Sequence, residues 1–436
     1  MLFFAHETDC WKRRKGSIWA GDMSTLGIRA ACSCLRFLYF FLKLVPTRKK
    51  ITFISKLGDG PSVDFALLQA ELEALLPDYA FATKCRRFSS GLGSLLRYAP
   101  AMLVQMFHIA TSRLVILDSY CIPISILSHK RGLKVVQIWH ALGLMKKIGY
   151  AAVGTEEGWS KENARVLSMH KGYTHILVSS EAAKDARLRC FGYTESPSEG
   201  RKAHPLPLEE ALIGALPRVD LLQDEEAKSA ARSAVYAAYP FLRDKKVILY
   251  VPTLRKNNDE LPGRIRELVE AVNEANREHG EYALVIKPHP RQRKNWKNQS
   301  GDSYESPTEG PASQGSCVLF DKRFSTTEIG MVAWACVSDY SSLIFESMLL
   351  GLPTYFFAFD LDRYEHERGL IIDYAHEMPG GIHRDARSLV AALVHERHSP
   401  QEQQAFLAKY VSFNDGGNAR SLAQSIVRII EGSSKG

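Results

Sequence analysis

Residues Ala335 to Gly369 read ACVSDYSSLIFESMLLGLPTYFFAFDLDRYEHERG. Ala335 to Val337 is a short apolar run with the character of a buried strand. Ser338, Asp339, Tyr340, Ser341 and Ser342 interrupt it just before a helical pattern of Leu343, Ile344, Ser347, Leu349 and Leu350. A strand that feeds directly into a helix leaves the first-turn N–H groups without backbone partners. The helix dipole adds partial positive charge at the same place, so a phosphate is held there at small cost. The plainer alternative is that Asp339 and the serines only cap the helix. Gly351 and Pro353 stop the helix, Thr354 to Phe359 reads as the next buried strand, and Asp360 to Gly369 reads as an acidic loop containing arginine.

The same alternation runs through the rest of the chain. Val247 to Val251 ends in Pro252-Thr253-Leu254-Arg255, and Ala283 to Ile286 ends in Lys287-Pro288-His289-Pro290-Arg291. In the first half, Ile51 to Ser55, Leu114 to Asp118, Val135 to Trp139 and Ile176 to Ser179 are short buried runs separated by helical patterns. Strands alternating with helices predict parallel sheets, whose ligands lie beyond the carboxyl ends of the strands. Those ends carry cations and imidazoles: Arg255, Lys287 and His289 in the second half, and His140 followed by Lys146 and Lys147 in the first. Singly, each has a plainer reading as an exposed arginine, a Pro-His-Pro turn or a core histidine. Their recurrence at strand ends favours a site for an anionic ligand beside a base. The polar helical stretch Leu221 to Arg243 separates the two halves. Asn295 to Gly315, rich in Ser, Gly, Pro and Gln, reads as a mobile loop.

With 436 residues, 45% hydrophobic and 24% charged, the chain is long enough for two domains of roughly 180 residues each. The net charge is +8, yet residues 1–50 hold ten Lys and Arg against Glu7, Asp9 and Asp22, which accounts for +7 of it. A nearly neutral body argues against a nucleic-acid-binding domain. A basic arm points instead to an anionic membrane surface. Leu26 to Val45 has helical periodicity, with Arg29, Ser33, Arg36 and Lys43 on one face and Phe and Leu over the rest. Charges interrupt it too often for a membrane span, so it reads as a helix lying in the membrane interface, with a core helix of the first domain as the alternative. The eight cysteines are scattered, without C-x-x-C pairs or histidines at metal spacing, and read as reduced thiols.

These motifs together resemble the CDP-glycerol glycerophosphotransferase family, which builds teichoic acid polymers in bacteria. The resemblance rests on Asp339-Tyr340-Ser341-Ser342 with Glu346, on GLPTYFF, and on Asp360, Tyr364, Arg368 and Gly369 at the spacing D-x-x-x-Y-x-x-x-RG. It extends to Trp139 and His140 with Gly143, Lys146, Lys147 and Gly149, where Ala141 stands in place of a frequent Gly. Further similar blocks are Ser179-Ser180 with Phe191-Gly192-Tyr193, the Pro-Thr-x-Arg and His-Pro blocks, and Pro217-Arg218-Val219-Asp220, in which Val219 replaces the usual Asn. Thr194 to Leu208 looks like an insertion. The blocks run in matching order over residues 48–432.

The resemblance implies a glycosyltransferase-B-like α/β fold, two Rossmann-type domains facing across a cleft. Residues 1–46 would form a membrane-associating segment, 47–238 the acceptor domain, 239–400 the donor domain, and 401–436 the closing helices. It implies transfer of glycerol phosphate from CDP-glycerol to a hydroxyl of a lipid-linked acceptor, with release of CMP, at the cytoplasmic face of the membrane. His140 and His289 would be catalytic. Thr253, Arg255, Lys287, Asp339, Ser341, Ser342, Glu346 and Arg368 would bind the donor, and Lys146, Lys147 and Arg218 the acceptor. No cofactor, metal or nucleic acid is expected. A CDP-ribitol or nucleotide-sugar transferase on the same scaffold, and a non-catalytic membrane-bound module that binds the polymer, remain as alternatives.

Overall fold

Strands covered on both faces must be largely apolar, and the four central segments of the first half approach that demand. The computed structural model describes residues 25–88, 92–193, 208–255, 260–288 and 317–432. Within it β1 (Lys50–Ser55), β2 (Ala80–Cys85), β3 (Leu114–Leu117), β4 (Lys134–Gln137), β5 (His175–Val178) and β6 (Glu210–Ile213) form one sheet in the order β2-β1-β3-β4-β5-β6. A second sheet, in the order β12-β11-β10-β7-β8-β9, is built from β7 (Lys246–Val251), β8 (Tyr282–Ile286), β9 (Val318–Phe320), β10 (Ala335–Ser338), β11 (Thr354–Phe357) and β12 (Ile382–His383). Every pairing in both sheets is parallel. The direction of winding reverses between β1 and β3 in one sheet and between β7 and β10 in the other. Crevices of this kind, outside the carboxyl ends of strands at a reversal, are where doubly wound folds hold ligands.

The buried central strands match the sequence expectations to within a residue or two, while β2, β6, β9 and β12 were not anticipated. β2 and β12 are edge strands with half-buried side chains, and β6 is partly exposed, so their apolar signal is weak. One expectation is corrected outright. Asp360 to Gly369 is not simply a loop, because Leu361–Glu367 is helical. Leu361 and Tyr364, three apart, are both buried and give that helix its inner face.

The last helix, Asn418–Gly432, returns to the first half and packs along Val63–Leu75. Asn418 donates from its backbone N–H and side-chain amide to Asp220, and Arg420 pairs with Glu71 at 3.0 Å. One apolar core therefore contains Ile51 and Phe53 of β1, Tyr340 and Phe345 of the second half, and Ala423 and Ile426 of the last helix.

The first helix, Thr25–Leu42, is docked and not free. Ile28, Cys32 and Tyr39 are buried, the Tyr39 hydroxyl is 2.9 Å from Nδ1 of His129, Arg29 pairs with Glu162, and Nε of Arg36 donates to the Ile126 carbonyl. The face that meets the protein is thus the apolar one of Ile28, Cys32 and Tyr39, and Arg29 and Arg36, both exposed, bond along its edge. Phe37, Phe40, Phe41 and Leu44 are 66%, 58%, 51% and 71% exposed, beside Leu103, Val104 and Phe107 on the neighbouring helix Leu92–Thr111. Among the described residues no helix is long and apolar enough to cross a membrane. The stretch 1–24, the bulk of Thr194 to Leu208, the loop Asn295 to Gly315 and His289 lie outside the described residues.

Candidate active site

The turn after β4 is built under strain. Trp139 has φ of 61°, a backbone region that costs a non-glycine residue roughly 1–3 kcal/mol. Gln137, fully buried, accepts from the Trp139 N–H at 2.9 Å and donates to the Ser119 carbonyl, while the Trp139 ring packs on Phe191 and His170. The turn brings Nδ1 of His140 to 3.0 Å from the backbone carbonyl of Asp118, at the end of β3. A carbonyl oxygen can only accept, so Nδ1 carries the proton and Nε2 keeps its lone pair. Burial lowers the His140 pKa to about 4. The bond to Asp118 opposes the shift, and Arg218, Arg187 and Lys56 reinforce it. His140 is therefore neutral at pH 7.

Beyond His140 the loop is laced to the second half. Gly143, with φ of 64°, lies so close under the Phe345 ring that a Cβ would sit 2.1 Å from Cε2. Arg187, buried in the helix Glu181–Phe191, donates to the Gly143 carbonyl at 2.7 Å. The Ile371 N–H donates to the Met145 carbonyl at 2.8 Å, the Lys147 N–H to the Gly369 carbonyl at 3.0 Å, and Lys146 and Leu370 form an antiparallel bridge. The His140 loop and the Arg368–Gly369 turn are two sides of one small ladder. Lys146 has its pKa lowered to about 8, first by burial and then by Arg368, with Asp339 and Glu157 opposing.

In the second half the strand ends are tied by an ion cluster. Arg255 reaches Asp339 at 2.8 Å through Nη1, and Asp360 at 2.6 and 2.8 Å through Nε and Nη2. Asp339 also accepts from the N–H groups of Thr253 and Tyr340. The Tyr340 hydroxyl donates to Asp360, and its ring stacks on Tyr364 with centroids 3.9 Å apart. Asp339 is consequently not the cap of the following helix, Leu343–Leu349. Ser342 holds the cap position, and the Ser341 hydroxyl accepts from the Leu343 N–H. Both serines are half-buried.

The remaining predicted site residues divide by what their side chains already hold. Lys287 is buried, paired with Asp321 at 2.5 Å and donating to the Phe324 carbonyl, so it is spent inside its own sheet. Glu346, also buried, accepts from Arg218 at 3.3 Å and from the Thr327 hydroxyl at 3.1 Å. Arg368 reaches the Glu157 carboxylate at 3.7 Å. Thr253, Arg255 and Asp339 are bonded together just before Ser341 and Ser342, and Arg368, Asp339 and Arg255 lie within electrostatic reach of Lys146 on the His140 loop. Asp64, Asp118, Arg187 and Asp360 were not singled out as site residues. Asp118 closes the apolar run LVILD and was open to discovery as a strand-end carboxylate, whereas Asp64 and Arg187 sit inside helical patterns that carry no such mark. Among the described residues no three His, Cys, Asp or Glu side chains gather as a metal site.

Two parallel six-stranded sheets meeting through their carboxyl-end loops define a glycosyltransferase-B-like α/β protein. A solved structure of the wall teichoic acid polymerase TagF superposes with a TM-score of 0.65 at 17% identity, over 96% of this chain and 100% of that one. Residues 37–428 match the family described as CDP-glycerol:poly(glycerophosphate) glycerophosphotransferase, and the chain belongs to it. Similar relatives are a teichoic acid ribitol-phosphate primase of Bacillus spizizenii, 27% identical over 78% of this chain and 81% of its own length, and a teichoic acid glycerol-phosphate primase of Bacillus subtilis, 25% identical over 76% and 78%.

Proposed function

We propose that the chain transfers glycerol phosphate from CDP-glycerol to a hydroxyl of a lipid-linked teichoic-acid-type acceptor. The acceptor oxygen attacks the phosphorus that bears glycerol, the bond from that phosphorus to the CMP oxygen breaks, and CMP leaves with the bonding pair. The hydroxyl proton goes to Nε2 of His140. Lys146 and Arg368 supply fixed positive charge to the phosphoryl oxygens, and the Ser341 and Ser342 hydroxyls and nearby N–H groups receive the donor phosphates. The observation that carries this reading is His140, its Nδ1 held by the Asp118 carbonyl so that Nε2 is left to accept a proton, on a loop bonded directly to the Arg368–Gly369 turn. His289 is retained in the proposal from its motif alone. Incubation with a soluble acceptor analogue and either CDP-glycerol or CDP-ribitol, read by product mass, tests it. The similarity to a ribitol-phosphate primase keeps CDP-ribitol as the second donor. Mass gain with neither would reject the reading.

Donor contact is tested separately. Ser341→Ala combined with Ser342→Ala is expected to weaken CDP-polyol binding about tenfold, roughly one charge-assisted bond, while leaving acceptor affinity unchanged. Equal calorimetric titrations would make the serines ordinary helix-start residues.

The exposed aromatic face of the first helix is proposed to rest on an anionic bilayer, with Lys43, Arg48 and Lys49 beside it. Each basic residue near such a surface contributes about 1 kcal/mol. Changing Phe37, Phe40 and Phe41 together to Ser should abolish sedimentation with phosphatidylglycerol vesicles and leave the thermal transition in place, because none of the three is buried. Deleting the helix is a poorer test, since Ile28, Cys32 and Tyr39 would leave the core with it. Retained vesicle binding by the triple variant would remove the anchor.

A further inference from the structure

Arg218 stands where both halves and the candidate base meet. It begins the short helix Val219–Gln223, in the first half, and all three of its guanidinium nitrogens are engaged. Nε donates to Asp64 at 2.9 Å, Nη2 to Asp64 and, at 3.2 Å, to the backbone carbonyl of His140, and Nη1 to Glu346 at 3.3 Å. Its backbone N–H also donates to Asp64. Glu346 in turn has one oxygen on Arg218 and the other on Thr327. A guanidinium and a carboxylate so fully used have little left for an acceptor phosphate or a donor. Glu346 belongs to the helix Leu343–Leu349 that follows the DYSS motif, and the preceding residue, Phe345, packs its ring on Gly143 of the His140 loop. That helix therefore holds the His140 loop at two points, one apolar and one ionic.

We propose that Arg218 and Glu346 are positioning residues whose ion pair couples the backbone of His140 to the helix behind the donor motif, so that the base is set by the placement of the donor half. The inference rests on the reading of His140 as the base. Displacement of a reacting group by about 1 Å costs on the order of a hundredfold in rate, so a shift of this helix is sufficient to govern turnover without touching substrate. The charge balance agrees. Burial opposes the Arg218 charge, but Asp64 and then Glu346 outweigh it and hold the guanidinium more firmly protonated than usual. Burial pushes the Glu346 carboxyl above its ordinary range, and Arg218 works against that shift.

The test uses the full chain with Glu346→Gln, which keeps shape and the Thr327 contact, and Arg218→Lys, whose ammonium cannot span three partners. With saturating donor and acceptor, kcat for CMP release should fall about tenfold to a hundredfold in each. Donor Kd and acceptor KM should stay within about threefold, and the double variant should be no worse than the poorer single, as expected of one coupled unit. A tenfold rise in donor Kd for Glu346→Gln, or in acceptor KM at unchanged kcat for Arg218→Lys, would make these residues ligands and overturn the proposal. An independent readout is the carbon-13 histidine spectrum, with the His140 signal assigned by its loss in His140→Gln. In Glu346→Gln that signal should move, because the loop that carries the ring loses its ionic tie to the helix, while Lys56, Arg187 and Arg218 still face it and the Asp118 carbonyl still holds Nδ1. An unmoved signal also overturns the proposal. If His140→Ala turns over normally, the base reading fails, while the spectrum still decides whether the pair sets the loop.

Discussion

His140→Ala is expected to lower transfer by about 10²–10⁴-fold while CDP-polyol affinity stays within a few fold. An alcohol is a poor nucleophile at neutral pH, and the gain from a base comes from taking its proton as the new P–O bond forms. The Asp118 carbonyl holds Nδ1 at 3.0 Å, which leaves Nε2 as the acceptor of that proton. The donor phosphates are assigned to the other half of the molecule, which is why binding should survive. The pH dependence provides a second signature. A base must be neutral, and burial lowers the His140 pKa to about 4, so the acid limb of kcat/KM should fall near pH 4 to 5 and not at the 6.5 of a free imidazole. Turnover by His140→Ala within about threefold of the parent, at saturating acceptor, would assign the base elsewhere.

The parts of the fold written in the sequence are those whose environment is local. β3, β7 and β10 are apolar because both faces are covered, and runs such as LVIL and VILYV, short and bounded by turn residues, carry that mark. β2 has an ordinary edge-strand composition, and only its register against β1 makes it a strand. The site follows the same rule. His140 and Ser341 are legible because a strand end precedes them, but a chemical type does not disclose its partner. Arg218 and Glu346 were recognised as motif residues and assigned to two different substrates, whereas in the folded chain they bond to one another across 128 positions. Lys287 has the right place beyond β8, yet Asp321, not visible as a partner in the sequence, consumes its charge. Periodicity in Thr25–Leu42 likewise shows two faces without saying which is turned inward. The docking of Arg29 and Arg36 against the first half is a tertiary fact.

Arg255→Ala should be the most destabilising single change in the second half, costing about 3–5 kcal/mol, because it leaves two buried carboxylates without their cation. The Arg255 side chain is 4% exposed, and those of Asp339 and Asp360 are 0% and 3%. Burial alone would raise the Asp360 carboxyl. The bonds and charge of Arg255, followed by the bonds from Tyr340 and Arg363, outweigh it and hold the group below its usual range. A carboxyl whose folded pKa is depressed adds stability at every pH above its unfolded value, about 3.9 for Asp, and loses it as pH falls through the folded value. The parent should accordingly hold this contribution unchanged between pH 5 and pH 8. In Arg255→Ala the burial effect is left in command, the folded pKa rises above the unfolded one, and the sign reverses. The variant should be more stable at pH 5, where the Asp360 carboxyl begins to take up a proton, than at pH 8. Urea unfolding at the two pH values measures both the loss and the slope, and a loss below about 1 kcal/mol with no change of slope would refute the account. Replacing all three together, Arg255→Met with Asp339→Asn and Asp360→Asn, removes every buried charge at once and should recover much of the stability. If Ser341 and Ser342 receive the donor as proposed, donor affinity should not return with it, because Asp339 and Arg255 tie the β7 and β10 ends together beside those serines. A variant that folds well and binds CDP-polyol poorly would separate the cluster's contribution to the site from its contribution to the fold.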